Sequence, residues 1–176
     1  MQDLWLLKFR WPAAEAGDPL AALRERAEAP RVWRAMEGDA AYAYFAGDAP
    51  REAFDLAPTG AALTRLACTT DLPGASHGAD APFHYVVETD VVTEHEADFN
   101  AWYDEEHLPG LAAVPGTVRA ARYVCEEGSP RYHACYDLAS LETFGSPAWL
   151  AVRATDWSSR VRPSFRNTTR MMFRRA

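Results

Sequence analysis

Lysine is almost absent from this chain. Of 18 basic residues only Lys8 is a lysine, so charge recognition falls to arginine. Cysteine is scarce and odd in number. Cys68, Cys125 and Cys135 show no metal-type spacing, and three thiols give no disulfide framework. No apolar stretch approaches the ~20 residues that cross a bilayer. Met1 to Trp11 lacks a basic region followed by a long apolar run, so no signal peptide is expected and the setting is a reducing cytoplasm. Positive charge is in deficit, and a net charge of -7 argues against nucleic acid and acidic membranes as partners. Neither a phosphate loop nor a Gly-x-Gly-x-x-Gly fingerprint occurs, which leaves a nucleotide cofactor without support.

What is present suffices for a full core. The 176 residues are 48% hydrophobic and 24% charged, the profile of an ordinary globular chain of one large or two small domains. The charge is uneven. Residues 94 to 106 hold six acids and no lysine or arginine, whereas residues 151 to 176 hold seven arginines and one acid. The structural reading is an acidic helix face and a basic last strand that pair loosely across the surface.

The segment Phe99 to Gly116 is the most informative. Phe99, Trp102 and Tyr103 recur at helical spacing as one apolar stripe, and His107 follows Tyr103 by one turn. Pro109 disfavours helix at Leu108, which predicts that the helix ends at about His107, before a turn at Pro115-Gly116. An imidazole beside a phenol at a helix end is a plausible proton-transfer pair.

Two halves flank a Gly-, Pro- and Ser-rich connector. The expected boundaries are 1–75, a linker at 76–82, and 83–176. In the second half, Phe83 to Val91 reads as a strand. Thr93 and Glu96 read as a capping box opening the helix that carries His107. Thr117 to Glu126 and Arg131 to Asp137 form a hairpin around Glu127–Pro130. Ser140 is expected to cap a further helical region that is interrupted at Pro147, and Phe165 to Arg174 is a last strand. The first half repeats this order faintly: a strand at Leu4–Phe9, a helix opened by Asp18-Pro19, strands at Val32–Met36 and Ala41–Phe45, a short helix at Pro50–Leu56, and a strand at Ala62–Thr69. Two βαββαβ units in tandem predict an α+β fold of paired ferredoxin-like units, each with helices on one sheet face.

The second half resembles the dimeric α+β barrel superfamily and its EthD-like groups. The residues that carry the resemblance are Phe99, Trp102 to Pro109, Val114-Pro115-Gly116, Ala121-Arg122-Tyr123, Pro130-Arg131-Tyr132, Ser146-Pro147-Ala148 and Phe165-Arg166-Asn167. It covers roughly residues 83 to 176. The resemblance implies that two units enclose a small cavity, here within one chain as a tandem fusion. It further implies a cofactor-independent isomerase, cyclase or monooxygenase acting on a small aromatic, lactone or polyketide-like molecule. In EthD-like proteins the histidine before the proline points into the cavity, a role that falls on His107. Nothing in the first half matches the Glu-His-Leu-Pro segment, so one site per chain is expected. Two alternatives stand: a non-catalytic small-ligand-binding or stress-response protein, and a haem-binding or haem-degrading protein with His84, His107 or His133 as axial ligand.

The residues permit this chemistry without fixing it. His107 is either a general acid or base, or a helix-terminal cation favoured by the macrodipole. Tyr103 either positions His107 or the substrate, or is a core aromatic. Trp102 shares the stripe of Phe99 and is a candidate contact. With Gly128-Ser129 central to the hairpin turn, Arg122 falls opposite Cys135. Arg122, His133, Cys135 and Asp137 would then line the barrel interior, with Tyr123, Tyr132, Ala134 and Tyr136 facing helices. A slip of one residue swaps the roles. In the interior, Arg122 would stabilise an oxyanion; otherwise it makes a sheet-surface ion pair. His84, Asn167 and Arg170 are further candidate contacts on strands. Asp104-x-x-His107 has one-turn spacing but lacks further convergent ligands, so no metal is expected. The partner is a small molecule. Exposed sheet edges leave a homodimer open.

Overall fold

The computed structural model of the chain describes residues 2–12, 17–24, 29–49, 55 and 60–176. Eight strands form one closed barrel: β1 (Leu4–Arg10), β2 (Arg31–Ala35), β3 (Ala40–Ala46), β4 (Ala62–Pro73), β5 (Phe83–Val91), β6 (Thr117–Val124), β7 (Tyr132–Leu138) and β8 (Phe165–Arg175). Around the barrel the first four lie side by side as β4-β1-β3-β2 and the last four as β8-β5-β7-β6. The two sets join antiparallel along β2–β8 and β4–β6. Each strand therefore has a neighbour on both sides, and the sheet edges through which two chains could have paired are used up within the barrel.

Closure divides the apolar residues into three layers. Inside the barrel lie Leu6, Tyr44, Leu66, Val86, Tyr123, Cys135 and Phe173. Outside β5–β8, the helices of the second half bury Tyr85, Phe99, Trp102, Tyr136, Trp149 and Val161 against the sheet. Outside β1–β3, Leu20 and Leu23 cover Leu7, Phe9 and Ala43. The period-2 alternation of β5 fixes this division, since His84, Val86 and Glu88 point inward while Phe83, Tyr85 and Val87 point to the helices. Burying one of the large aromatic side chains contributes on the order of 2–3 kcal/mol.

Polar groups inside the barrel are paired across its two halves. Lys8 of β1 donates to Glu88 of β5 at 2.6 Å, and the Tyr42 hydroxyl of β3 donates to the other Glu88 oxygen at 2.8 Å. At the opposite end Arg31 of β2 reaches Asp137 of β7 at 3.3 Å. His84 Nδ1 donates to Asp137 at 2.6 Å, and its Nε2 accepts from the Tyr44 hydroxyl at 3.2 Å. The single lysine is thus the counter-charge of a buried carboxylate.

Five local expectations are corrected. The helix does not end before Pro109. It runs as α2 (Glu96–Trp102), one π-turn at Tyr103–His107, and α3 (Leu108–Ala112). The wider turn rephases the helix so that Pro109 falls in the first turn of α3, where its missing N–H is not called on. Thr93 makes no side-chain cap, because residues 93–95 form a 3-10 turn, and Glu96 instead accepts from the Tyr132 hydroxyl. Ser140 caps nothing either; Ser146 accepts from Trp149 N to cap α4 (Pro147–Arg153), and Thr155 caps α5 (Asp156–Val161). The strand expected to end at Thr69 continues to Pro73, drawn on by pairing with β6. The hairpin register moves by one: the loop between Val124 and Tyr132 centres on Gly128 alone, so Arg122 faces Ala134 and Ala121 faces Cys135. In the first half Asp18 accepts from Leu20 N ahead of a helical turn, α1 (Ala21–Arg24), while most of the helix expected at Pro50–Leu56 lies outside the described residues.

Glu88→Ala should lower stability by about 3–5 kcal/mol, because it strands the Lys8 ammonium and the Tyr42 hydroxyl at the barrel wall. Glu88→Gln should lower it by less. Chemical denaturation of both variants checks this, and a loss below ~1 kcal/mol for Glu88→Ala would show that the interior charge pair holds nothing together.

Candidate active site

The π-turn shapes the candidate site. Its five-residue repeat stacks His107 on Trp102, with ring centroids 4.1 Å apart and planes 20° apart. Tyr103 meets the imidazole edge-on at 5.3 Å. Glu106 anchors this segment by accepting from Trp102 Nε1 at 3.1 Å and from the Thr155 hydroxyl at 2.6 Å, which ties the helix to the cap of α5. The residues that present His107 are therefore held by both ring packing and hydrogen bonds.

His107 is 7% exposed and borders a chamber of about 20 Å³, the space of roughly one water. Tyr103, Tyr136, Trp149 and Arg162 also line it. The chamber adjoins a hollow of about 620 Å³ between β5, β8 and the helices, lined by Met36, Phe144, Met171 and Met172 among others. Tyr85, Arg153 and Arg170 line both spaces, so they form the wall between them. Three buried polar atoms at the chamber have no hydrogen-bond partner: His107 Nδ1, the Tyr136 hydroxyl and Trp149 Nε1. Seven buried side-chain polar atoms among the described residues lack a partner, and three of them belong to residues that line this one small space, where a polar group could satisfy them.

Electrostatics at the chamber favour neutral rings. Burial, then the charges of Arg162 and Arg153, push His107 down to about 3, so it is an unprotonated acceptor at neutral pH. Burial pushes the Tyr103 phenol up to about 12 and raises Tyr136 well above the ordinary phenol value, so both remain proton donors.

The structure brings His107, Tyr103, Trp102 and Arg170 together at this chamber. Arg122 is near but behind Tyr103. It donates to Asn100 at 2.5 Å, lies 3.6 Å from Asp104, and sits over the Tyr103 ring at 4.5 Å. The register shift places it on the helix side, not in the barrel interior. Tyr123 correspondingly turns inward, away from the helices. The inward assignments of His133, Cys135 and Asp137 stand, as do the helix-facing ones of Tyr132, Ala134 and Tyr136. His84 and His133 lie inside the barrel at opposite ends. His84 is held by Asp137 and Tyr44, and His133 Nε2 donates to the Pro130 carbonyl at 3.1 Å. Asn167 lies at the bulge between β5 and β8 with φ of 49°, donating to Asp90 at 2.9 Å. Burial pushes the Cys135 thiol up to about 12, which leaves it no nucleophilic character.

Tyr85, Tyr136, Trp149, Arg153 and Arg162 were not singled out from the sequence as site residues. The signal that could have found two of them is the arginine excess after residue 151. The acidic stretch pairs with only part of it: Asp98 takes Arg160 at 3.0 Å, and Asp104 and Glu96 approach Arg122 and Arg131. Arg153 and Arg170 have no acidic partner among the described residues, contrary to the expected surface pairing.

A histidine-ligated haem does not fit these residues. The space at His107 is too small for a porphyrin on its imidazole, and His84 and His133 are committed inside the barrel. Among the described residues no group of three or more His, Cys, Asp or Glu could hold a metal ion. No helix there is long and apolar enough to cross a membrane.

No protein-family profile and no curated protein matches the chain. Solved structures do. An anthrone oxidase-like protein is similar over 99% of this chain and 91% of its own, at 12% identity and a TM-score of 0.64. An uncharacterized ferredoxin-fold protein from Listeria monocytogenes, related to antibiotic biosynthesis monooxygenases, is similar over 100% and 96%, at 6% identity and 0.64. A heme-degrading enzyme from the same organism is similar over 99% and 100%, at 7% identity and 0.63. At these identities the likeness is one of fold. The chain shares with these proteins a ferredoxin-like α+β barrel fold.

Acid should unfold this protein through its buried histidines. Burial also pushes His133 down to about 4 and lowers His84. A histidine whose folded pKa is depressed binds protons more weakly than the unfolded chain, so stability falls as pH drops below ~6.5, by up to ~1.4 kcal/mol per pH unit for each group that stays neutral. For His133 this window closes near 4 and for His107 near 3. Denaturation from pH 7 to 4 should show the decline, and His107→Phe should make it shallower by one proton. An unchanged slope in that variant would contradict the neutral, buried state of His107.

Proposed function

We propose that the chain is a cofactor-independent enzyme that moves a proton on a small aromatic, lactone or polyketide-like substrate. The reaction is an isomerisation or cyclisation through the resulting carbanion, or its oxygenation with dioxygen as the co-substrate and oxidant. The observation that carries this reading is the convergence of three unpaired buried polar atoms, His107 Nδ1, Tyr136 Oη and Trp149 Nε1, on one chamber at the end of a 620 Å³ hollow. An unprotonated imidazole accepts a proton from the carbon beside a carbonyl, while a phenol and an indole N–H donate to the oxygen on which charge develops. Tyr103 orients the imidazole from its edge, and Arg122, over the Tyr103 ring, is a positioning residue that acts through it. The bulk of the substrate occupies the hollow and only its reacting edge enters the chamber.

The likeness of fold to an anthrone oxidase-like protein supports this substrate class. So does the resemblance of the Trp102–Pro109 segment to EthD-like proteins. The strand order supports a tandem fusion, since each half of the chain supplies four adjacent strands in the same relative order, fourth-first-third-second. On this reading residues 1–75 and 83–176 are two ferredoxin-like units joined at 76–82, with the chamber in the second unit and Met36 of the first at the edge of the hollow. The rival, a non-catalytic binding protein of the same fold, uses the same hollow without chemistry.

Exchange of the acidic C–H protons of anthrone and of an unsaturated lactone into D2O, followed by NMR, separates the two. The wild type should accelerate exchange. His107→Phe should lose about 10²-fold or more of the acceleration, and Tyr103→Phe less. Absence of acceleration by folded wild type, with either ligand still bound, would establish the non-catalytic reading.

A further inference from the structure

The hollow carries a charge that the proton-transfer reading does not use. Arg153, Arg162 and Arg170 all line the chamber, and among the described residues no acidic one lines it with them. Arg162 donates to the Ser158 hydroxyl at 3.3 Å, whereas Arg153 and Arg170 have neither ion pair nor hydrogen bond among the described residues. Several arginines elsewhere are closely paired, with Asp71 on Arg119, Asp98 on Arg160, Asp80 on Arg175 and Asp3 on Arg65, while Arg166 and Arg174 have no carboxylate partner among the described residues but line neither space. Three guanidinium groups with no carboxylate partner among the described residues give one cavity a positive wall that suits an anion from outside. The one carboxylate on the hollow is Glu37, which lines the outer space and not the chamber.

The same walls are apolar where they meet solvent. Met36 and Phe144, at 45% and 36% exposure, are two of the three large hydrophobic side chains left exposed among the described residues, and both line the hollow. Phe144 packs on Tyr85 at 4.6 Å, which makes a ring surface beside the arginine wall. A ligand that satisfies both features has an apolar ring system and an acidic group at one end.

We infer that the substrate is a ring-bearing carboxylate, whose rings lie on Phe144, Met36 and Tyr85 and whose carboxylate is held by Arg153 and Arg170. Guanidinium forks match carboxylate geometry, so one carboxylate can be held by two parallel hydrogen bonds. The anion also offsets the positive field of Arg153 and Arg162, which after burial is the second cause of the lowered His107 pKa, and so acts against that part of the lowering. This inference rests on the proposed site but names what that site selects.

Calorimetric titration with 2-naphthoate and its neutral isostere 2-naphthamide tests it, in 50 mM and 500 mM NaCl. The acid should bind about tenfold or more tighter than the amide, as one charged hydrogen-bonded contact allows. High salt should weaken the acid and leave the amide unchanged. Arg170→Gln, on an exposed strand position, and Arg153→Gln should each abolish most of the difference without altering amide binding. Equal affinity for acid and amide, or a preference that survives both variants, overturns the carboxylate assignment while leaving a ligand site in the hollow. Failure of both compounds to bind overturns the assignment and the site together. Tight acid binding without any exchange catalysis would leave this inference standing and remove the enzymatic reading.

Discussion

The barrel exists because two buried carboxylates of its second half find their cations in its first. Glu88 and Asp137 point inward from β5 and β7, where an unpaired charge would be prohibitive. Lys8 and Arg31, from β1 and β2, meet them across the interior at 2.6 Å and 3.3 Å. Tyr42 and Tyr44 complete the two clusters from β3. These contacts fix which halves join and in what register, and a one-residue slip of β5 would turn both its polar residues toward the helices. The rest follows from that alternation. With polar residues inside, the outward face of β5 and β7 is aromatic, and the helices that cover it enclose the site between helix and sheet.

Much of this was legible in the sequence. The strand boundaries of the second half follow β-branched and aromatic runs closely, and β5 begins and ends where Phe83 and Val91 predict. The helical stripe of Phe99, Trp102 and Tyr103 is buried as its period requires. What was not legible depended on counting. A proline at 109 ends an α-helix but not a helix with one π-turn, and nothing in local propensity announces that turn. The seven-residue loop between Val124 and Tyr132 has an odd number of residues and centres on one, so a two-residue turn assumption moved Arg122 to the wrong face.

The site was half legible for a related reason. His107, Tyr103 and Trp102 stand on one segment and reveal themselves by spacing. Tyr136, Trp149, Arg153 and Arg162 come from a strand and the helices that follow it, and only tertiary packing brings them to the same chamber. The arginine excess near the end of the chain was visible as composition. That part of it stays unpaired beside a cavity was not, because pairing is a property of the fold.

The central claim is that ligands bind between helix and sheet, against His107 and the arginine wall. A second hollow of about 330 Å³, at the barrel mouth beside Arg31, Trp33, Asp137 and Arg175, is the natural competitor. A crystal structure of the protein soaked with 2-naphthoate decides between them. The account predicts density for the rings on Phe144 and Tyr85, with the carboxylate on Arg153 or Arg170. A ligand seated at Trp33 instead, or an empty helix-side hollow at saturating concentration, would contradict it.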